Sequence, residues 1–148
     1  MSKPPLTSGR FPWPLRALLR RGLVAHWKVG ALYSIEEGHG SFGVVKILAM
    51  DTRAVHVRTY KNRFPLRPAE VDPGTLTLGS LGDHHIGIGH LPLAPEQFAF
   101  WQPVFLAETS VEEDELEGYE VWAEGAGEVW GPRWGFWDEL RLLRHVLA

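Results

Sequence analysis

The sequence predicts a β-rich α+β domain: an SH3-like or small-barrel antiparallel meander, with a short helix before it and helices after it. Three observations point there. Three β-rich runs between Ala31 and Tyr60 are joined by short polar or glycine-containing turns. Pro65, Pro68, Pro73, Pro92 and Pro95 forbid a long helix in the stretch that follows. Apolar residues at helical spacing occur only towards the two ends of the chain.

The elements follow in order. Residues 1–12 carry Pro4, Pro5, Gly9 and Pro12 and read as a flexible tail, leaving 13–148 as one globular domain. Pro14 suits the first turn of a helix over 14–21, with Leu15, Leu18 and Leu19 on one face and Gly22 just past the end. A strand over Ala31–Ile35, a turn over Glu36–Ser41, a strand over Phe42–Met50, a tight turn at Asp51–Arg53 and a strand over Ala54–Tyr60 form the meander. In the third strand the alternation sets Val55, Val57 and Thr59 on one face and His56, Arg58 and Tyr60 on the other. Short strands are expected at Leu76–Leu78, Ile86–Leu93 and Val104–Ala107, with a helical turn over Glu96–Trp101. Ser110 followed by Glu113 matches a capping box for a helix starting at 111. Phe136, Leu140, Leu143 and Leu147 define a last helix over 136–147.

The bulk numbers exclude several function classes. A chain of 148 residues that is 45% hydrophobic and 22% charged is long enough for one real core and too apolar for a disordered segment. Without cysteine there is no disulfide, no thiolate metal site and no cysteine nucleophile. No apolar run approaches the ~20 residues a bilayer-spanning helix needs, and arginines interrupt Leu15–Val24 where a secretory signal would be apolar. The expectation is a cytoplasmic protein without membrane contact. The net charge of −3 hides a gradient: residues 1–30 hold six basic residues and no acid, whereas 101–148 hold eleven acids and three basic residues. The plain reading is that the basic N-terminal helix docks on the acidic C-terminal part. The sharper ones are a basic arm for nucleic acid or an acidic surface for a basic protein partner, and the acidic end disfavours nucleic acid for the chain as a whole.

Four patterns invite a functional reading. Gly38-His39-Gly40-Ser41-Phe42-Gly43 satisfies a glycine-rich phosphate loop literally, but it joins two strands and no lysine or metal-binding motif accompanies it, so its glycines read as hairpin glycines. His84, His85 and His90 could ligate a metal in a metal-dependent enzyme, though neighbouring residues on a strand point to opposite faces. His56, Arg58, Tyr60, Lys61 and Arg63 make a basic strip with an aromatic, which reads first as a solvated strand face partly covered by the acidic helices; the alternative is a surface that binds single-stranded nucleic acid. Trp130, Arg133 and Trp134 combine tryptophan with arginine, as protein-binding surfaces do, with Glu112 and Glu113 in the adjoining acidic run as an electrostatic guide. No serine–histidine–acid arrangement, nucleophile elbow or cofactor motif stands out, and no cofactor is expected.

The run Trp27-Lys28-Val29-Gly30-Ala31-Leu32-Tyr33-Ser34-Ile35, followed by Gly40-Ser41-Phe42-Gly43-Val44-Val45-Lys46-Ile47-Leu48, resembles the opening of the bacterial immunity protein 26 family. There a G-x-x-Y/F-x-I strand precedes a glycine–aromatic–glycine turn and a V-x-K/R-I/V-L strand. The resemblance covers residues 27–60. It implies a mostly β protein that neutralises a partner toxin by binding it, and it assigns no functional residue. The leading expectation is therefore a non-catalytic protein-binding module, with another protein as partner.

Overall fold

The computed structural model describes residues 26–38, 40–125 and 127–131. The helices expected over 14–21 and 136–147, with Arg133 and Trp134, lie outside the described residues. Within them the chain is α+β and β-rich. Five strands, β1 (Ala31–Glu36), β2 (Phe42–Met50), β3 (Val55–Phe64), β4 (Ile88–Leu93) and β5 (Val104–Glu108), form one sheet in the order β4-β3-β2-β1-β5. Every neighbouring pair is antiparallel. Two short α-helices follow, α1 (Pro95–Phe100) between β4 and β5, and α2 (Glu117–Glu124) beyond the sheet.

The meander forms because each turn is chemically specified. Gly38 and Gly40 take φ of 76° and 70°, which side chains disfavour, and so reverse the chain between β1 and β2. Between β2 and β3, the Asp51 carboxylate accepts from the Arg53 and Ala54 backbone N–H groups at 2.8 and 2.9 Å, closing the turn. Register shifts in the pairing of β1 with β5, β2 with β3 and β3 with β4 mark bulges, which bend the strands and increase twist. Arg63 answers one of them by donating to the Tyr60 and Asn62 carbonyls at 2.6 and 3.0 Å.

Both faces of the sheet are covered. On one, Ala31, Tyr33, Ile35, Val45, Ile47, Val55, Val57, Leu91 and Leu93 pack with Trp27 and with Phe98 and Trp101 from the α1 region. The other carries a smaller apolar group, Leu32, Val44 and Tyr60, under Val71, Leu76, Leu78 and Leu106. The same face also holds the polar side chains of Lys46 and His56, which are buried.

Two expectations are corrected. Leu76–Leu78 is not a strand: its neighbour β3 reaches it through single bonds, Lys61 N–H to the Thr77 carbonyl and the Asn62 side chain to Thr75 and Thr77, in place of a ladder. The capping box is formed by Glu112 and Glu115, not by Ser110 and Glu113, and it opens a 3₁₀ turn (Glu113–Leu116) that leads into α2. Lys46 explains the shift, because its ammonium holds the Ser110 carbonyl at 2.6 Å and so keeps residue 110 outside the helix. No helix among the described residues is long and apolar enough to cross a membrane.

Candidate functional site

The strands that carry the basic strip are roofed by the 3₁₀ turn and α2. Lys46 sits in the middle of β2 with its side chain 7% exposed, and its ammonium bonds both oxygens of Glu115 at 2.8 and 3.1 Å. Arg58 approaches the same carboxylate at 3.8 Å and donates to the Gly89 carbonyl. Burial works to raise the Glu115 pKa, but the hydrogen bond from Lys46, the Glu112 N–H and the charges of Lys46 and Arg58 outweigh it, so the carboxyl lies below its ordinary value. Burial, helped by the Glu115 charge, pushes the Tyr60 hydroxyl up to about 12.

Beside this ion cluster lies a pair of histidines. Nδ1 of His56 is 2.9 Å from Nε2 of His90, and the rings stack with centroids 5.2 Å apart. On the far side of the His56 ring, Nε2 is 3.7 Å from Asp51 Oδ2, too far for a hydrogen bond. From above, α2 sets Tyr119 and Trp122 edge-on to His56, at 4.7 and 4.4 Å between centroids. Trp122 is fixed in turn by donating to the Glu128 carbonyl at 2.7 Å and by the Arg53 guanidinium over its ring. Burial holds both histidines below their ordinary pKa. For His56 the Asp51 charge works in the other direction; for His90 the His56 ring adds to the effect, and the value falls to about 4.

This geometry places each residue singled out by the sequence. The strip of His56, Arg58, Tyr60, Lys61 and Arg63 keeps its alternation but not its exposure. His56 and Tyr60 are buried, Arg58 faces Glu115, Arg63 is paired with Glu37, and Lys61 is paired with Asp83 at 3.3 Å. The acidic segment covers His56 and Arg58, the 71–78 stretch covers Tyr60, and Glu37 and Asp83 take up Arg63 and Lys61. His84, His85 and His90 are not gathered: the first two rings meet edge to face at 4.6 Å, while His90 is engaged with His56. Among the described residues no group of three or more histidines and carboxylates is arranged to hold a metal ion. In the glycine-rich turn, the third glycine, Gly43, faces the Glu37 carboxylate, an unsuitable neighbour for phosphate. Trp130 is half-buried against the main core, and its backbone is clipped to the end of β4 through Pro92 and Ala94 at 2.8 and 2.7 Å; Arg133 and Trp134, the other members of that pattern, lie outside the described residues.

Glu112 and Glu113 are exposed, and they belong to a larger feature. The segment from 109 to 131 contains no lysine, arginine or histidine. Glu115 is turned inward, and Glu112, Glu113, Asp114, Glu117, Glu120, Glu124 and Glu128 are exposed. On α2 the spacing of Glu117, Glu120, Val121 and Glu124 puts all four on one face, with Val121 68% exposed among the three carboxylates. The inner face carries Tyr119 and Trp122, and Gly118 sits against His90. The sequence signals that went unread were Lys46, a lone charge inside an apolar strand, and Glu115, the one acid of the run that it needs.

Comparison with protein-family models, with curated proteins and with solved structures finds no match to this chain.

Proposed function

We propose that this chain is a non-catalytic protein-binding module whose partner presents a basic surface, and that it works as immunity proteins do, by covering and neutralising that partner. The observation that carries the reading is the outer face of the 112–124 segment. Its one inward-turned carboxylate, Glu115, is satisfied by Lys46 and Arg58, and its exposed carboxylates have no cation within the segment. A one-signed face accelerates encounter with a partner of opposite sign, and an apolar centre such as Val121 gives the bound state a desolvated contact. The fold suits the role. The order β4-β3-β2-β1-β5, with a helical turn before the last strand, favours an SH3-like small barrel, as does the likeness of residues 27–60 to the immunity family.

The test is affinity capture from the native host with the intact chain and with a Glu117→Lys, Glu120→Lys, Glu124→Lys variant, read by quantitative mass spectrometry. The expected result is a basic protein held in stoichiometric amount by the first and not by the second. It should be released at about 0.5 M salt, where screening acts within roughly 4 Å. Absence of any stoichiometric partner, or an identical set on both proteins, would refute the proposal.

A further inference from the structure

We propose that the His56–His90 pair is a pH-operated latch: with both rings uncharged, α2 is seated on the sheet, and a proton taken up by His90 releases it. The argument starts from which nitrogen is free to accept that proton. Asp51 Oδ2 lies beside Nε2 of His56, and a carboxylate there selects the tautomer with the proton on Nε2. Nδ1 of His56 is then the acceptor for the Nε2–H of His90 across 2.9 Å. The basic nitrogen left over is Nδ1 of His90. It lies directly under α2, 3.6 Å from where a side-chain carbon on Gly118 would stand. A proton arriving at the pair therefore lands between β4 and the helix.

The groups around that nitrogen do little to welcome a charge. Asp51 and Arg53, from the β2–β3 turn, reach the His56 side of the pair and Trp122 respectively. Arg58, from β3, is a cation engaged with Gly89 and Glu115. Glu115, from the 3₁₀ turn, is committed to Lys46. From α2 come Tyr119 and Trp122, whose rings pack against the pair. The carboxylates of Asp51 and Glu115 both sit below their ordinary pKa values, so they stay ionised at mildly acid pH and do not confuse the response.

The sign and size follow from linkage. The seated state holds His90 at about 4, and release returns it towards the ordinary 6.5. The contribution of the uncharged ring is fully present above about 6.5 and is lost as pH falls towards 4. Between about pH 7.5 and about pH 5 the equilibrium for opening should rise about 30-fold. Release would also withdraw the acidic face carried by α2. That consequence rests on the proposed binding role, whereas the latch does not.

Hydrogen exchange on the full chain, read by mass spectrometry across that pH range and corrected for intrinsic rates, tests the latch without any partner. The amides of α2 should lose protection about 30-fold while those of β2 and β3 keep theirs. In a His56→Gln, His90→Gln variant, in which neither ring of the pair can titrate, α2 protection should no longer vary with pH. Unchanged α2 protection down to about pH 5, or simultaneous loss in helix and sheet, would overturn the proposal. Titration of the imidazole NMR signals of the unaltered protein provides a second reading: a His90 signal that titrates near its ordinary value would overturn it independently of how the variant folds.

Discussion

Replacing Gly118 with alanine gives a test in which two physical effects predict opposite signs. Gly118 lies in the first turn of α2, where alanine would ordinarily stabilise a helix by about 0.5–1 kcal/mol. Here the added carbon would stand 2.6 Å from Cβ and 3.2 Å from Cγ of His90. Carbon atoms pack at about 3.5–4.0 Å, so helix and strand must separate by about 1 Å. His90 cannot swing away, because the atom it presents is anchored to β4 and its ring is held by His56. Overpacking of this kind costs about 1–3 kcal/mol, leaving a net loss of about 1–2 kcal/mol after the propensity gain. At this chain length that lowers the melting temperature by roughly 2–8 °C. Urea denaturation followed by tryptophan fluorescence measures the free energy, and circular dichroism the midpoint. Combined with His90→Gly, which removes the Cβ that the new carbon meets, the Gly118→Ala change should become neutral or favourable, a coupling of about 1 kcal/mol or more. A Gly118→Ala protein more stable than its parent would show that α2 does not rest on His90, and the account of the histidine pair would go with it.

Other perturbations follow from the same contacts. Lys46→Ala leaves the half-buried Glu115 carboxylate with only Arg58 and the Glu112 N–H and should cost up to about 3 kcal/mol by urea denaturation, whereas Lys46→Met with Glu115→Leu should recover most of that loss. In Gly30→Ala, a side chain would be forced onto a backbone with φ of 87° and against the Thr109 carbonyl oxygen; a loss of at least about 2 kcal/mol is expected in the same assay. The Glu115 carboxyl, below its ordinary 4.5 when folded, contributes stability that is present above that value and lost as pH falls through the folded pKa. Acid denaturation should therefore show a second, lower-pH component, which Glu115→Gln reduces to the part that Asp51 contributes.

Much of the sheet was legible because its information is local. β2 runs from Phe42 to Met50 as its apolar pattern and flanking turns require, and Asp51 closes the next turn with its own side chain. Pro95, opening α1, and the apolar start of β5 were equally readable. Leu76–Leu78 misled because a run of β-forming residues is indistinguishable from a strand until the Asn62 side chain is seen standing in for a ladder. The site was not legible for a related reason. Alternation placed His56 opposite Val55 and Val57, but whether that face meets water depends on residues 113–124, far along the chain. His56 and His90 are 34 positions apart and meet only through the β3–β4 pairing that sets His56 beside Pro92.

The Lys46–Glu115 contact also constrains how this chain can change over time. The two residues are 69 positions apart, and loss of either deprives the other's largely covered charge of its nearest opposite charge. Descendant sequences should keep both, or exchange both together for apolar or swapped-charge residues, so that covariation between these two columns would trace the contact in any set of relatives.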